Sequence, residues 1–210
     1  MVIVASRVFG ATAPRAEATM HADVLIDLCA RPSLLRDIAF QLDALGFDQP
    51  PPFGGEEFAR CTFASARGQI DLLGPDDAGE GLLVINETSR TLAIPGGRRA
   101  PQVAGLVRLT YDEAAFDVDI RVPLLPGAIV VRAAAALDSR TRLAPHHAKD
   151  VAHMLGVLPD PISALAAITD ADRELLAGLV ERFRSSGDFA WRGMDSDSRL
   201  RSLTALELLL

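Results

Sequence analysis

Lysine is almost missing from this chain. Lys149 is the only one among 21 basic residues, and 28 acids leave a net charge of −7. That balance excludes a general electrostatic attraction to nucleic acid. Only small basic patches remain, at Arg98-Arg99 and at Arg140 and Arg142. Cysteine is equally scarce. Cys29 and Cys61 have no metal-ligand spacing and are expected to be reduced, buried thiols. No apolar run approaches the ~18 residues of a transmembrane helix, so no membrane association is expected. The opening stretch Met1–Arg7 has no basic segment ahead of its apolar residues, and Arg7 cuts that run short. A cytoplasmic protein is expected on that ground. There is no Walker motif, no Gly-x-Gly-x-x-Gly and no Gly-x-Ser-x-Gly, which argues against P-loop, Rossmann and α/β-hydrolase chemistry. Low-complexity segments and internal repeats are absent too.

What remains is a chain of 210 residues, 49% apolar, enough for one large domain or a core with a helical appendage. Residues 2–9 suit a first strand or helix, and 11–19 and 48–56 read as loops. Extended segments are expected at 22–28, 57–64, 68–73, 82–86, 90–94, 104–110 and 117–122. Helices are expected at about 33–45, 124–138, 145–158 and 170–184. Leu34, Leu35, Ile38, Leu42 and Leu45 give the first its apolar stripe, and Gly46 ends it. The 196–210 tail reads as a helix docking through Leu200, Leu203, Leu206 and Leu210. Strands mixed with one early helix, followed by an all-helical last third, predict a mixed α+β fold with a helical extension.

Two of the extended segments carry acids inside apolar surroundings, in His21-Ala22-Asp23-Val24-Leu25-Ile26-Asp27 and in Gln69-Ile70-Asp71-Leu72-Leu73. A buried carboxylate is costly without a partner, so such an acid has a partner or a function. Strand alternation puts His21, Asp23 and Asp27 on one face. Asp71 on a neighbouring strand can meet them and hold a divalent cation with a phosphate. The plainer alternative is that both acids bind water or backbone N–H groups.

Three further features have a plain reading beside a functional one. His146, Asp150 and His153 have i, i+4, i+7 spacing suited to a transition metal, but a solvated helix face is favoured. Arg132 can reach a phosphate or snorkel from the edge of a core helix. Pro95-Gly96-Gly97-Arg98-Arg99 can cradle an anion, although a turn carrying two solvated arginines is favoured.

The order of HADVLIDL, LDALGF, RGQIDLLGPDD, RTLAIPGG, PLLPGAIVVRAAA and HHAKDVAHML resembles bacterial nucleotidyltransferase-fold proteins, most of all abortive-infection toxins of the AbiEii type, over about residues 2–184. The resemblance implies a nucleotidyltransferase-like twisted mixed sheet with flanking helices over 1–122 and a helical subdomain over 123–184; the residues that follow, 185–210, read as a linker and a tail helix. It implies Mg²⁺ or Mn²⁺ on Asp23 and Asp71, with His21 in the position of the first acid. Arg132 stands where a phosphate-binding Lys is usual, and Lys149 and Asp150 match a basic–acidic pair. The implied activity is transfer of a nucleotidyl group from a nucleoside triphosphate to an RNA, such as tRNA, or to a protein. The implied setting is phage defence, with an antitoxin as partner. Three departures weigh against it. Imidazole at 21 is a poor Mg²⁺ ligand, better suited to Mn²⁺ or Zn²⁺; the usual Gly-Gly turn ahead of the first acid is absent, unless Gly10-Ala11 serves as that turn; and Arg replaces Lys at 132. The alternative expectation is a catalytically degenerate module that binds a ligand or partner.

Overall fold

The computed structural model describes residues 2–3, 21–28, 30–49, 62–86, 89–111, 116–138, 144–185, 187 and 189–210. The expectations for 4–19, for most of the 48–56 loop, for 57–61 and for both cysteines lie outside these residues. The chain divides into two compact units, Met1–Val122 and Pro123–Leu210.

The first unit is built on a seven-stranded mixed sheet. Its strands are β1 (Val2–Ile3), β2 (His21–Leu25), β3 (Thr62–Ser65), β4 (Gly68–Pro75), β7 (Leu92–Ile94), β8 (Ala104–Tyr111) and β9 (Phe116–Pro123). The main path runs β3-β4-β2-β1-β9-β8. β4 is the hub. One edge pairs with β2 in parallel, while its other edge is shared, antiparallel to β3 over Gly68–Asp71 and parallel to β7 over Leu73–Pro75. A separate two-stranded ribbon joins β5 (Val84–Asn86) to β6 (Ser89–Arg90). Of the segment 82–86, expected to be extended, Val84–Asn86 is strand β5, while residues 82–83 belong to a 3₁₀ turn, Glu80–Leu83, that leads into it.

Side-chain alternation divides the sheet into two faces. Val24, Ile26, Leu72 and Phe63 pack with Leu35, Ala39 and Leu42 of helix α1 (Leu34–Ala44) into one core. The other face carries the odd-numbered positions of β2 and β4, among them Asp23, Leu25, Asp71 and Leu73. α1 closes with a Schellman arrangement. The Gly46 N–H reaches the Asp43 carbonyl at 2.9 Å and the Phe47 N–H reaches the Leu42 carbonyl at 3.0 Å. Gly46 takes φ +77°, a conformation that glycine adopts without steric cost.

The second unit is helical. α2 (Leu125–Leu137) buries Ile129, Val130, Val131 and Ala133, and Pro126 sits in its first turn, where no N–H partner is lost. α3 (Ala144–Gly156) presents Val151, Ala152 and Leu155 to the interior. A short α4 (Pro161–Ala164) begins on Pro161 with Asp160 as cap, its Oδ1 accepting the Ser163 N–H at 3.0 Å. Pro159 and Pro161 in the sequence signal the end of the preceding helix, and no helix is expected at this position.

The expected 170–184 helix is two, α5 (Asp170–Ala177) and α6 (Val180–Arg184). The break falls at Gly178, a weak helix former pressed so close to α2 that an added Cβ would lie 3.0 Å from Leu137 Cδ1. The tail helix α7 (Ser196–Leu209) docks through Leu206, as expected, but the rest of its buried stripe differs from the expected one. Ser202, Ala205, Leu206 and Leu209 are buried, whereas Leu200 and Leu210 face solvent. The leucines at 200, 203, 206 and 210 do not all share one narrow helix face with the buried set, which follows i, i+3, i+4, i+7. Ser202 Oγ donates to the Ala152 carbonyl at 2.7 Å and ties α7 to α3.

Candidate functional site

The parallel ladder between β2 and β4 pairs His21 with Gln69, Asp23 with Asp71 and Leu25 with Leu73. In-register neighbours on adjacent strands lie about 4.8 Å apart and point to the same face. Asp23 and Asp71 are therefore side by side, on the face away from α1. Both are half-buried. Gln69 Nε2 donates to Asp71 Oδ1 at 3.2 Å, and Thr62 of β3 stands opposite Asp71 on its other side. Beyond the two acids along the strands, Leu25 and Leu73 are buried and close that end of the patch. Two carboxylates at this spacing can share one divalent cation, with water and phosphate oxygens completing its shell. His21 occupies the first position of β2; its side chain lies outside the described residues. Among the described residues, no group of three or more His, Cys, Asp or Glu gathers in a metal-holding arrangement. This includes His146, Asp150 and His153.

Arg132, Lys149 and Asp150 belong to the second unit, and there Arg132 has specific company. Its guanidinium Nη1 lies 3.0 Å from His147 Nδ1, and Nε lies 3.8 Å from Asp150 Oδ2. The guanidinium side chain is only 14% exposed. A guanidinium only donates, so His147 Nδ1 accepts and its proton resides on Nε2. Burial pushes the His147 ring down to about 4, helped by the charges of Arg132 and His146. His147 was missed in the sequence because the i, i+4, i+7 spacing drew attention to its neighbour. His146 instead meets Phe189 edge-on, with ring centroids 5.0 Å apart. His153 is also held below its ordinary range, chiefly by burial and by Lys149.

The 95–99 turn does cradle an anion, and it is the chain's own. The Asp76 carboxylate accepts the N–H of Gly96 at 2.9 Å and that of Arg98 at 3.2 Å. Pro75-Asp76-Asp77 reads in the sequence only as a strand-ending turn.

A scan of protein-family models, a search of curated proteins and a search of solved structures each found no match to this chain.

Proposed function

We propose that the chain is a metal-dependent nucleotidyltransferase in which Asp23 and Asp71 hold Mg²⁺ or Mn²⁺ together with the phosphates of a nucleoside triphosphate. The observation that carries this reading is their direct register on adjacent parallel strands. Asp23 and Asp71 would hold the cation, which would supply positive charge beside the triphosphate. An acceptor hydroxyl would attack the α-phosphorus, forming a new P–O bond as the bond to the β-phosphate breaks; pyrophosphate would leave and the hydroxyl proton would pass to water. The resemblance alone implies phosphate-binding roles for Arg132, Lys149 and Asp150, which belong to the second unit. An RNA or protein acceptor, a toxin role and an antitoxin partner rest on that resemblance alone.

A second reading, a degenerate module that keeps ligand binding without transfer, is favoured by one observation. Only two acids meet among the described residues, with a buried leucine at each next position on that face.

The test is incubation with labelled triphosphates, Mn²⁺ and a tRNA pool, followed by separation of RNA from protein. Label on either that Asp71→Asn abolishes supports the enzyme. Intact Mn²⁺ binding without label supports the degenerate module. Absence of Mn²⁺ binding removes the Asp23–Asp71 site itself.

A further inference from the structure

A different site lies at the other end of the same strands. β2, β4 and β7 run parallel and end together, with Leu25 beside Leu73 and Pro75 beside Ile94. Ligands of parallel sheets collect beyond the carboxyl ends of the strands. Here the residues just past those ends are Asp27, Asp76-Asp77 and the Gly96–Arg99 turn. They border two cavities of about 400 and about 200 Å³, both lined by Asp77, Arg98 and Gln102. Asp27 is four residues beyond Asp23, about 13 Å along an extended chain. Buried Leu25 and Leu73 separate the two places.

The walls are set before any ligand arrives. Asp76 fixes the turn through the Gly96 and Arg98 N–H groups. Gly97 packs so tightly on Pro75 that a Cβ would sit 2.8 Å from the Pro75 Cα. Arg98 Nη1 pairs with Asp77 Oδ2 at 3.2 Å, and Arg99 Nη1 donates to Gln102 Oε1 at 3.0 Å. With Asp76 committed to the turn, the chemistry offered to a ligand is divided by position. The smaller cavity has Asp27 against the apolar walls of Ile26, Pro75 and Pro101; the larger has Arg99. Asp27 Oδ1 already accepts the Ala30 N–H at 3.1 Å, and Asp77 is matched by Arg98. Carboxylates compensated in this way suit neutral hydroxyl donors better than an ammonium ion. The contacts to Asp77 and Gln102 each use one nitrogen of Arg98 and of Arg99, and a guanidinium carries five N–H donors, so the same two side chains can also receive a phosphate.

We propose that this cleft binds a small phosphorylated polyol, a sugar phosphate or the ribose-phosphate part of a nucleotide, with its phosphate at Arg98 and Arg99 and its hydroxyls at Asp27 and Gln102. The site is independent of the Asp23–Asp71 pair and needs no metal.

The test is calorimetric titration of the full chain in EDTA with ribose 5-phosphate, adenosine monophosphate, inorganic phosphate, ribose and glutamate. Ribose 5-phosphate and the nucleotide should both saturate, with inorganic phosphate and ribose at least about tenfold weaker. Equal binding of the two esters assigns a sugar phosphate; tighter nucleotide binding assigns a nucleotide. Asp27→Asn, which keeps an acceptor for Ala30, and Arg98→Gln should each weaken binding about tenfold, while Asp71→Asn leaves it unchanged. The proposal is overturned if neither ester saturates below about 10 mM, if glutamate binds in their place, or if both cleft variants bind normally. Loss in Asp71→Asn equal to that in Asp27→Asn would also overturn it, because it would move the ligand to the other end of the sheet.

Discussion

Asp23 and Asp71 sit opposite each other in one step of a parallel ladder, on the sheet face turned away from the α1 core. In the proposed reading a divalent cation bridges the two carboxylates in the folded chain alone. Mn²⁺ should therefore raise the melting temperature of the wild-type chain. Binding linkage sets the scale, about 2.7 kcal/mol at a metal concentration one hundred times Kd. Asp71→Asn should melt at the same temperature with and without MnCl₂. An equal Mn²⁺-induced rise in that variant would show that the cation binds elsewhere.

Arg132 and His147 form a second coupled pair, and this one responds to pH. The His147 ring is depressed to about 4 by burial first, then by Arg132 of α2 and by His146, its neighbour on α3. The unfolded ring takes a proton near its ordinary 6.5. Between those values the unfolded chain binds more protons than the folded one, so stability falls as pH drops from 6.5 toward 4. His153 moves in the same direction, with Lys149 opposing its charge and Asp150 and an Arg192 backbone hydrogen bond favouring it. Melting curves between pH 7 and 4.5 should show a steady decline. His147→Asn offers Arg132 an acceptor without a titrating ring and should flatten the decline, leaving the smaller slope owed to His153. A slope identical to wild type would assign the pH dependence to other groups.

How far the sequence could be read follows from how local each signal is. The acids of β2 and β4 were visible because a charge in an apolar strand stands out, and the helices of the second unit because their apolar periodicity is strong. Gly46 was legible as a helix stop for the same local reason. The α5–α6 break was not, because Gly178 matters through its contact with Leu137, more than thirty positions away. The docking face of α7 was misplaced because leucine is so frequent in that tail that several stripes compete, and only packing against α3 selects one. His147 was hidden by its neighbours, since its significance depends on α2 lying against α3. The cleft around Asp27 and Arg98 assembles three segments that are distant in sequence, so no spacing in the chain announces it.

α5 starts with a reciprocal cap. Thr169 Oγ1 accepts the Asp172 N–H at 3.3 Å, and Asp172 Oδ2 accepts the Thr169 N–H at 2.9 Å. Asp172 is the one buried charged side chain among the described residues, and the cap supplies a partner for its carboxylate. Thr169→Ala should cost about 1 kcal/mol in urea unfolding, and Thr169→Ser should recover most of it. A loss below about 0.3 kcal/mol would mean that water replaces the hydroxyl.

Gly97 and Gly79 separate steric need from chain flexibility. A Cβ on Gly97 would lie 2.8 Å from the Pro75 Cα and 2.9 Å from the Ile94 carbonyl oxygen, both backbone atoms that cannot swing aside. Gly97→Ala should therefore push the 95–99 turn away from β4, at about 1–3 kcal/mol. The same shift would loosen the two N–H bonds to Asp76 and widen the cleft beside Arg98. At Gly79 nothing lies within 4 Å, and its φ of −59° is open to any residue. Gly79→Ala removes only unfolded-state freedom and should be neutral or stabilising by up to about 1 kcal/mol. Urea midpoints of the two variants, measured side by side, should move in opposite directions or leave Gly79→Ala unmoved. A Gly97→Ala midpoint equal to wild type would show that the turn yields without cost, and the cleft would then lose its fixed wall.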